Sequence, residues 1–217
     1  VEDVNRLSTN LNTALIEHGY VTSRIGIPSQ SLASGNLQFN LQLGRVESVL
    51  YKTYAQPLPW QNAFPIREGD ILNIRNIELG IEQMKRIGSQ NVSVELEPGT
   101  KPLATNIVLE TTKKPAIHGM ISIDDSGLKD TGKLQWTAAI GVDRVFNAND
   151  SLNLSINRDA AQDGERKGSR NHTISYSIPR GKDTFSISYS DMKYHQTINS
   201  MATPVSYTHL RAHETLS

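Results

Sequence analysis

Few residues in the chain have types and spacing that suit chemistry. His118, Asp124, Asp125 and Ser126 fall within one short stretch, and a histidine, a carboxylate and a hydroxyl are the parts of a hydrolase. No third group that would orient the histidine is identifiable, and Asp, Ser and Gly together are ordinary turn composition. Asp159, Asp163 and Glu165 cluster in "RDAAQDGERKGSR" without the alternate ligand spacing of a calcium loop. The basic run "GERKGSR" is too short and isolated to be a nucleic-acid patch. No catalytic, cofactor or metal site is therefore assigned. What remains is backbone chemistry. Two alternating segments, Tyr20–Ile27 and Val92–Glu97, each follow a helix and are expected at sheet edges. An open edge offers N–H and C=O groups to an extended partner strand. The candidate partner-binding residues are Tyr20, Val21, Arg24, Val92, Ser93, Val94, Glu95, Leu96 and Glu97. The competing reading is an edge that Arg24, Glu95 and Glu97 merely protect; both stay open.

Composition narrows the class. Lys plus Arg and Asp plus Glu balance at 22 each in 217 residues, which leaves no electrostatic signature of nucleic acid. Cysteine is absent, so disulfide frameworks and thiolate metal sites are excluded. No apolar run is long enough for a transmembrane helix. A barrel strand needs only about 9–11 alternating residues and leaves no hydropathy peak.

The elements that position the edges come in two rounds. Residues 3–18 carry Leu7, Leu11, Ala14 and Leu15 at helical spacing, and Gly19 is the stop signal. "YVTSRIGI" and "NLQFNLQLG" follow as a hairpin. Nothing precedes the helix for it to pack on, so the chain is expected to start inside a domain. "RVESVLYKTY" then reads as a strand, followed by a Pro-rich connection with a helical turn. Residues 75–87 form a helix striped by Ile77, Ile81, Met84 and Ile87. "NVSVELEP" and "TNIVLETTKK" close a β-α-α-β-β module.

After Pro115 helical periodicity stops and five alternating segments follow. One side carries Ile117, Ile121, Ile123, Trp136, Ile140, Leu152, Leu154, Ile156, Ile174, Tyr176, Phe185, Ile187 and Tyr189. The other carries small hydroxyls and amides, where an ordinary surface strand would show Lys and Glu. A soluble sandwich would bury the apolar side; a transmembrane barrel would turn it to lipid and crowd the small polar side into a lumen. Strand lengths of about 8–11 residues, against the usual ~5–6, favour the barrel. So do connections that alternate between long and charged, as in "DAAQDGERKG", and tight, as in "PRGKD". Five strands cannot close a barrel, so further strands are expected beyond residue 200. Residues 204–217 break the pattern, resemble a translated adaptor sequence and are set apart as a non-native tail.

The stretch Leu15–Val49 resembles the first POTRA domain of two-partner secretion transporters, the hemolysin secretion/activation family. Its marks are Gly19–Tyr20, the Pro28–Gln30 turn, Gly35 and Gly44–Arg45. Residues 63–102 resemble that family's second POTRA domain through Phe64–Pro65, Gly69, Leu72–Asn73, Arg75, Glu78, Gln83, Arg86 and Pro98–Gly99. Asp125, Gly127, Thr131–Gly132 and Ser177–Ile178–Pro179 are similar to the opening of its barrel. The resemblance implies α+β POTRA modules followed by the first strands of an antiparallel transmembrane β-barrel. The implied divisions are a partial first POTRA domain (1–44), a second POTRA domain (45–114) and about five barrel strands (115–200). It implies an outer-membrane pore of a Gram-negative bacterium with periplasmic POTRA domains and no enzyme activity or cofactor. Its partners would be outer-membrane lipid and a large β-helical exoprotein, held by the client's N-terminal secretion domain. The alternative is a soluble periplasmic or surface β-rich protein that binds a partner without transport.

Overall fold

The computed structural model describes residues 2–31, 35–127, 133–160, 168–198 and 201–215. They form two compact units, one running to Arg86 and including Gln90–Thr112, the other comprising Ile87–Ser89 and the chain from Lys113 onward.

The first unit opens with α1 (Glu2–Glu17), whose first turn carries Glu2 and Asp3 against the positive end of the helix dipole. The chain reverses at Gly19, whose φ of 90° suits only glycine well. The expected strand Tyr20–Ile27 shrinks to β1 (Arg24–Gly26), paired antiparallel with β2 (Asn40–Gln42). Tyr20 and Val21 lie in a turn: the Tyr20 amide donates to Leu15 O at 2.8 Å and the Ser23 amide to Tyr20 O at 3.1 Å. The expected apolar stripe of α1 is only partly covered, with no residue fully buried and Leu7 44% exposed. A two-stranded ribbon has too little surface to cover a helix.

The next round is complete: β3 (Arg45–Tyr51), α2 (Ile74–Lys85), β4 (Gln90–Pro98) and β5 (Ala104–Lys113). The sheet order is β3-β5-β4, with β3 parallel to β5. The first helix of the expected β-α-α-β-β pattern is one turn, in which the Ala63 and Phe64 amides both donate to Trp60 O at 2.9 Å. Pro57, Pro59 and Pro65 around it lack the N–H groups that a longer helix would need. Asn73 caps α2, its Oδ1 accepting the Arg75 amide at 3.0 Å. The core beneath is Val46, Leu58, Phe64, Ile66, Leu72, Ile77, Met84, Val92, Ile107 and Leu109, each no more than 2% exposed.

The second unit is an antiparallel sheet of consecutive neighbours: β6 (Ile117–Asp124), β7 (Gln135–Asp143), β8 (Ser151–Asp159), β9 (Gly168–Arg180), β10 (Asp183–Ile198) and β11 (Met201–Thr215). Five strands were expected and six are described. β11 pairs with β10 from Met201↔Ile198 to Thr215↔Thr184, across the segment set apart as a tail. Backbone pairing tolerates a broken side-chain pattern, and Leu210 and Ala212 fall opposite Tyr189 and Ile187, extending their face. Within this unit Ile87–Ser89 is fastened by hydrogen bonds. The Ser89 amide donates to Asp143 Oδ2 at 3.1 Å, and the Arg144 guanidinium donates to Ser89 O at 2.5 Å and Lys114 O at 3.1 Å.

Candidate functional site

The two sequence-derived edges have different fates. β1 is closed. Asn12, on α1, accepts the Ile25 amide at 2.9 Å and donates to Ile25 O at 2.9 Å, so a helix side chain occupies this strand's backbone groups. Arg24 is exposed and turns its guanidinium onto Val21 O and Ser23 O, both at 2.8 Å. Tyr20, Val21 and Arg24 therefore present no strand edge, because capping by Asn12 is a contact across 13 residues that alternation does not reveal.

β4 is one of the two outer strands of its sheet, β3 being the other, and one face of it looks inward. Val92 is buried, Val94 packs on the core from a half-buried position, and Leu96 is 37% exposed. Ser93, Glu95 and Glu97 are exposed on the opposite face. Ser93 Oγ donates to Glu110 Oε2 at 3.2 Å, and Lys52 Nζ lies 2.5 Å from Glu95 Oε1 and 3.5 Å from Glu110 Oε2. The carboxylates hold the Lys52 ammonium above the usual lysine range, the Glu95 hydrogen bond most of all. The β4–β5 turn is fixed by Glu47, whose carboxylate accepts the Thr100 amide at 2.8 Å and the Thr100 hydroxyl.

The sheet of the second unit has two chemically opposite faces. Ile121 is 81% exposed and Ile187 49%, and Ile140, Leu154, Ile156, Ile174, Phe185 and Tyr189 are exposed with them. Trp136, Leu152 and Tyr176 share that face at intermediate exposure. The polar face is bonded strand to strand: Asn157 Nδ2 to Thr137 Oγ1 at 2.9 Å, Ser151 to Ser177 at 3.0 Å, Ser190 Oγ to Asn171 Oδ1 at 2.9 Å. Small hydroxyls satisfy one another there without charge. Tyr176 departs from a purely apolar role, its hydroxyl donating to Asp150 Oδ2 at 3.2 Å. Sequence reasoning missed Asp150, the fully buried anchor of the Arg144–Asp150 turn, which also accepts the Phe146 and Ala148 amides at 3.0 Å.

The hydrolase-like cluster is not assembled. His118 is the second residue of β6 and Asp124 the last, about 20 Å away at the rise of a strand. Asp124 accepts the Ser126 amide at 3.1 Å as a turn cap, and Asp125 pairs with Lys133 at 3.6 Å. Asp163 and Glu165 lie outside the described residues, as do Thr131 and Gly132.

An open-edged α+β module followed by antiparallel strands with one exposed apolar face defines the class of outer-membrane proteins that couple POTRA domains to a β-barrel. The comparisons name the family. Residues 104–209 match the haemolysin secretion/activation protein ShlB/FhaC/HecB, residues 45–98 a POTRA domain, and residues 1–44 a ShlB-type POTRA domain. The chain belongs to this haemolysin secretion/activation family. It is 36% identical over 91% of its length to the outer membrane transporter CdiB-2 of Burkholderia pseudomallei, covering 34% of that protein. It is 30% identical over 91% of its length to the hemolysin transporter HpmB of Proteus mirabilis, covering 35%. Among solved structures, CdiB from Escherichia coli superposes with a TM-score of 0.78 at 26% identity, covering 96% of this chain and 39% of that one. CdiB from Acinetobacter baumannii shares the fold with a TM-score of 0.81 at 24% identity, covering 98% of this chain and 41% of that one. The chain thus spans about a third of the length of the curated relatives, and it is an outer-membrane protein.

Proposed function

We propose that the chain is the POTRA and leading-strand part of an outer-membrane pore that exports a large secreted polypeptide in two-partner secretion. The observation that carries this reading is the pairing of an open edge, β4, with a sheet whose apolar face is exposed along strand after strand. A sandwich would have buried that face in a core. Turned to lipid, it places Trp136, Ile140, Leu152, Leu154, Ile156, Ile174, Tyr176, Phe185, Ile187 and Tyr189 in hydrocarbon, and the Ser/Thr/Asn face toward a lumen. The client enters unfolded as an extended strand at Val92–Glu97, and the reading assigns no reaction to the chain's own side chains.

The backbone geometry of β4 supports this role. The Gly99 amide donates to Ala104 O at 2.8 Å and the Lys114 amide to Ser89 O at 2.7 Å, two backbone bonds that fit one antiparallel register. Alternation along such a pair directs the N–H groups of Val92, Val94 and Leu96 outward. The test is a chimera in which this chain replaces the matching third of the Burkholderia transporter. Val94→Pro should lower client secretion while barrel assembly stays normal, since proline removes one outward donor and fits an edge strand. Unchanged secretion with Val94→Pro, and also with Leu96→Pro, would remove β4 from the mechanism.

A further inference from the structure

The outer face of the β3-β5-β4 sheet becomes acidic toward its open edge. Glu95 and Glu97 stand on β4 and Glu110 on β5, and among the described residues the one cation paired with them is Lys52, against Glu95 and Glu110. Glu97 is exposed and makes no ion pair among the described residues. Three carboxylates against one ammonium leave two negative charges in excess beside an edge that has room for another strand. The inner side of β4 differs: Val94 is half-buried and Leu96 exposed, an apolar shelf continuing from the core. Side chains directly opposite each other on paired strands share a face, with Cβ atoms about 4.5–5.5 Å apart.

We propose that the strand accepted by β4 is amphipathic and basic, with Lys or Arg at the alternate positions opposite Glu95 and Glu97 and aliphatic or aromatic residues opposite Val94 and Leu96. This deepens the proposed function and rests on its reading of β4 as the client edge. The same carboxylates exclude two competitors. An acidic strand would set like charges face to face, and an antiparallel second copy of β4 would set Glu95 and Glu97 against their own equivalents. The edge is guarded against the chain itself and open to a basic client.

The test uses the full chain in detergent and two fluorescent nine-residue probes, one alternating Lys with Val and one alternating Glu with Val. Anisotropy should show the Lys probe binding about tenfold tighter at low salt, with the gap narrowing as salt shortens the screening length. Glu95→Lys with Glu97→Lys should invert the preference, and Leu96→Pro should weaken the Lys probe in the parent chain. Equal affinity for both probes, or a Lys preference that survives the charge reversal, overturns the basic-strand proposal. In either case, weakening by Leu96→Pro leaves the edge reading standing, and indifference to Leu96→Pro and Val94→Pro overturns that reading too. Binding of neither probe, or dimerisation blocked by Leu96→Pro, overturns the proposal as well.

Discussion

Asn73 and Gly19 meet where α1 ends and α2 begins. A Cβ on Gly19 would lie 2.4 Å from Asn73 Oδ1, the atom that caps α2, while Asn73 Nδ2 donates to His18 O at 3.1 Å and the Ile74 backbone amide to Gly19 O at 2.9 Å. One asparagine thus caps one helix and receives the carbonyl end of the other. Asn73→Ala removes both bonds and should destabilise this unit by about 1–2 kcal/mol, the upper range for a lost cap. Faster hydrogen exchange in the first turn of α2 and in residues 18–20 together would confirm the joint; a change confined to α2 would reduce Asn73 to a simple cap.

Gly80 sets two effects against each other. Alanine in place of glycine in a helix interior normally gains about 1 kcal/mol. Here the new methyl would fall 2.4 Å from the ring of Phe64, which is 1% exposed. Overpacking costs about 1–3 kcal/mol, so Gly80→Ala should destabilise. A raised urea midpoint for the exchange-protected α2 amides would show that the ring yields.

Glu47 makes the β4–β5 turn sensitive to acid. Its carboxyl is held below the ordinary 4.5, chiefly by the Thr100 hydroxyl and then by the Thr100 and Lys101 amides, against an opposing desolvation effect. A pKa depressed by folding gives stability that is present above the unfolded value and lost as pH falls through the folded one. Protection of the Thr100 and Lys101 amides should therefore decline below about pH 4.5 and become pH-independent in Glu47→Gln. An identical decline in both proteins would assign the effect to another carboxylate.

Arg144 holds the Ile87–Ser89 segment through donors to Ser89 O, Ser89 Oγ and Lys114 O. Arg144→Ala removes the part-buried, charge-assisted bonds to Ser89 O and Oγ, leaving Ser89 O with the Lys114 amide at 2.7 Å, and should cost about 1–3 kcal/mol locally. The readout is amide exchange at Ser89 and Lys114. Arg144→Lys should recover little, because one ammonium does not reproduce a planar fork.

Ile187 and Ser188 test which solvent meets which face. In the chimera, Ile187→Lys should block stable membrane assembly, since a midplane Lys on the lipid side costs about 2–4 kcal/mol. Ser188→Lys should assemble. Heat-modifiable gel mobility distinguishes them, and equal tolerance would reverse the proposed faces.

The sequence by itself determined the local features. Leu7, Leu11 and Leu15 marked a helix, Ile77, Ile81 and Met84 another, and the alternation of Ile174, Tyr176 and Ile178 marked a strand with unlike faces. These features depend on neighbours within a turn or a strand, and the spacing of side chains encodes them directly. Only the tertiary structure decided which edge is open. β1 alternates as β4 does, but Asn12 reaches across to Ile25 and closes it, while β5 lies inside the sheet and leaves β4 at one of its edges. It also decided that Ile87–Ser89 bonds to Asp143 and Arg144, and that β10 carries a sixth strand where the side-chain pattern fails. In each case the deciding partner is a backbone group or a residue distant in sequence, and backbone N–H and C=O groups pair without regard to the pattern that a sequence displays.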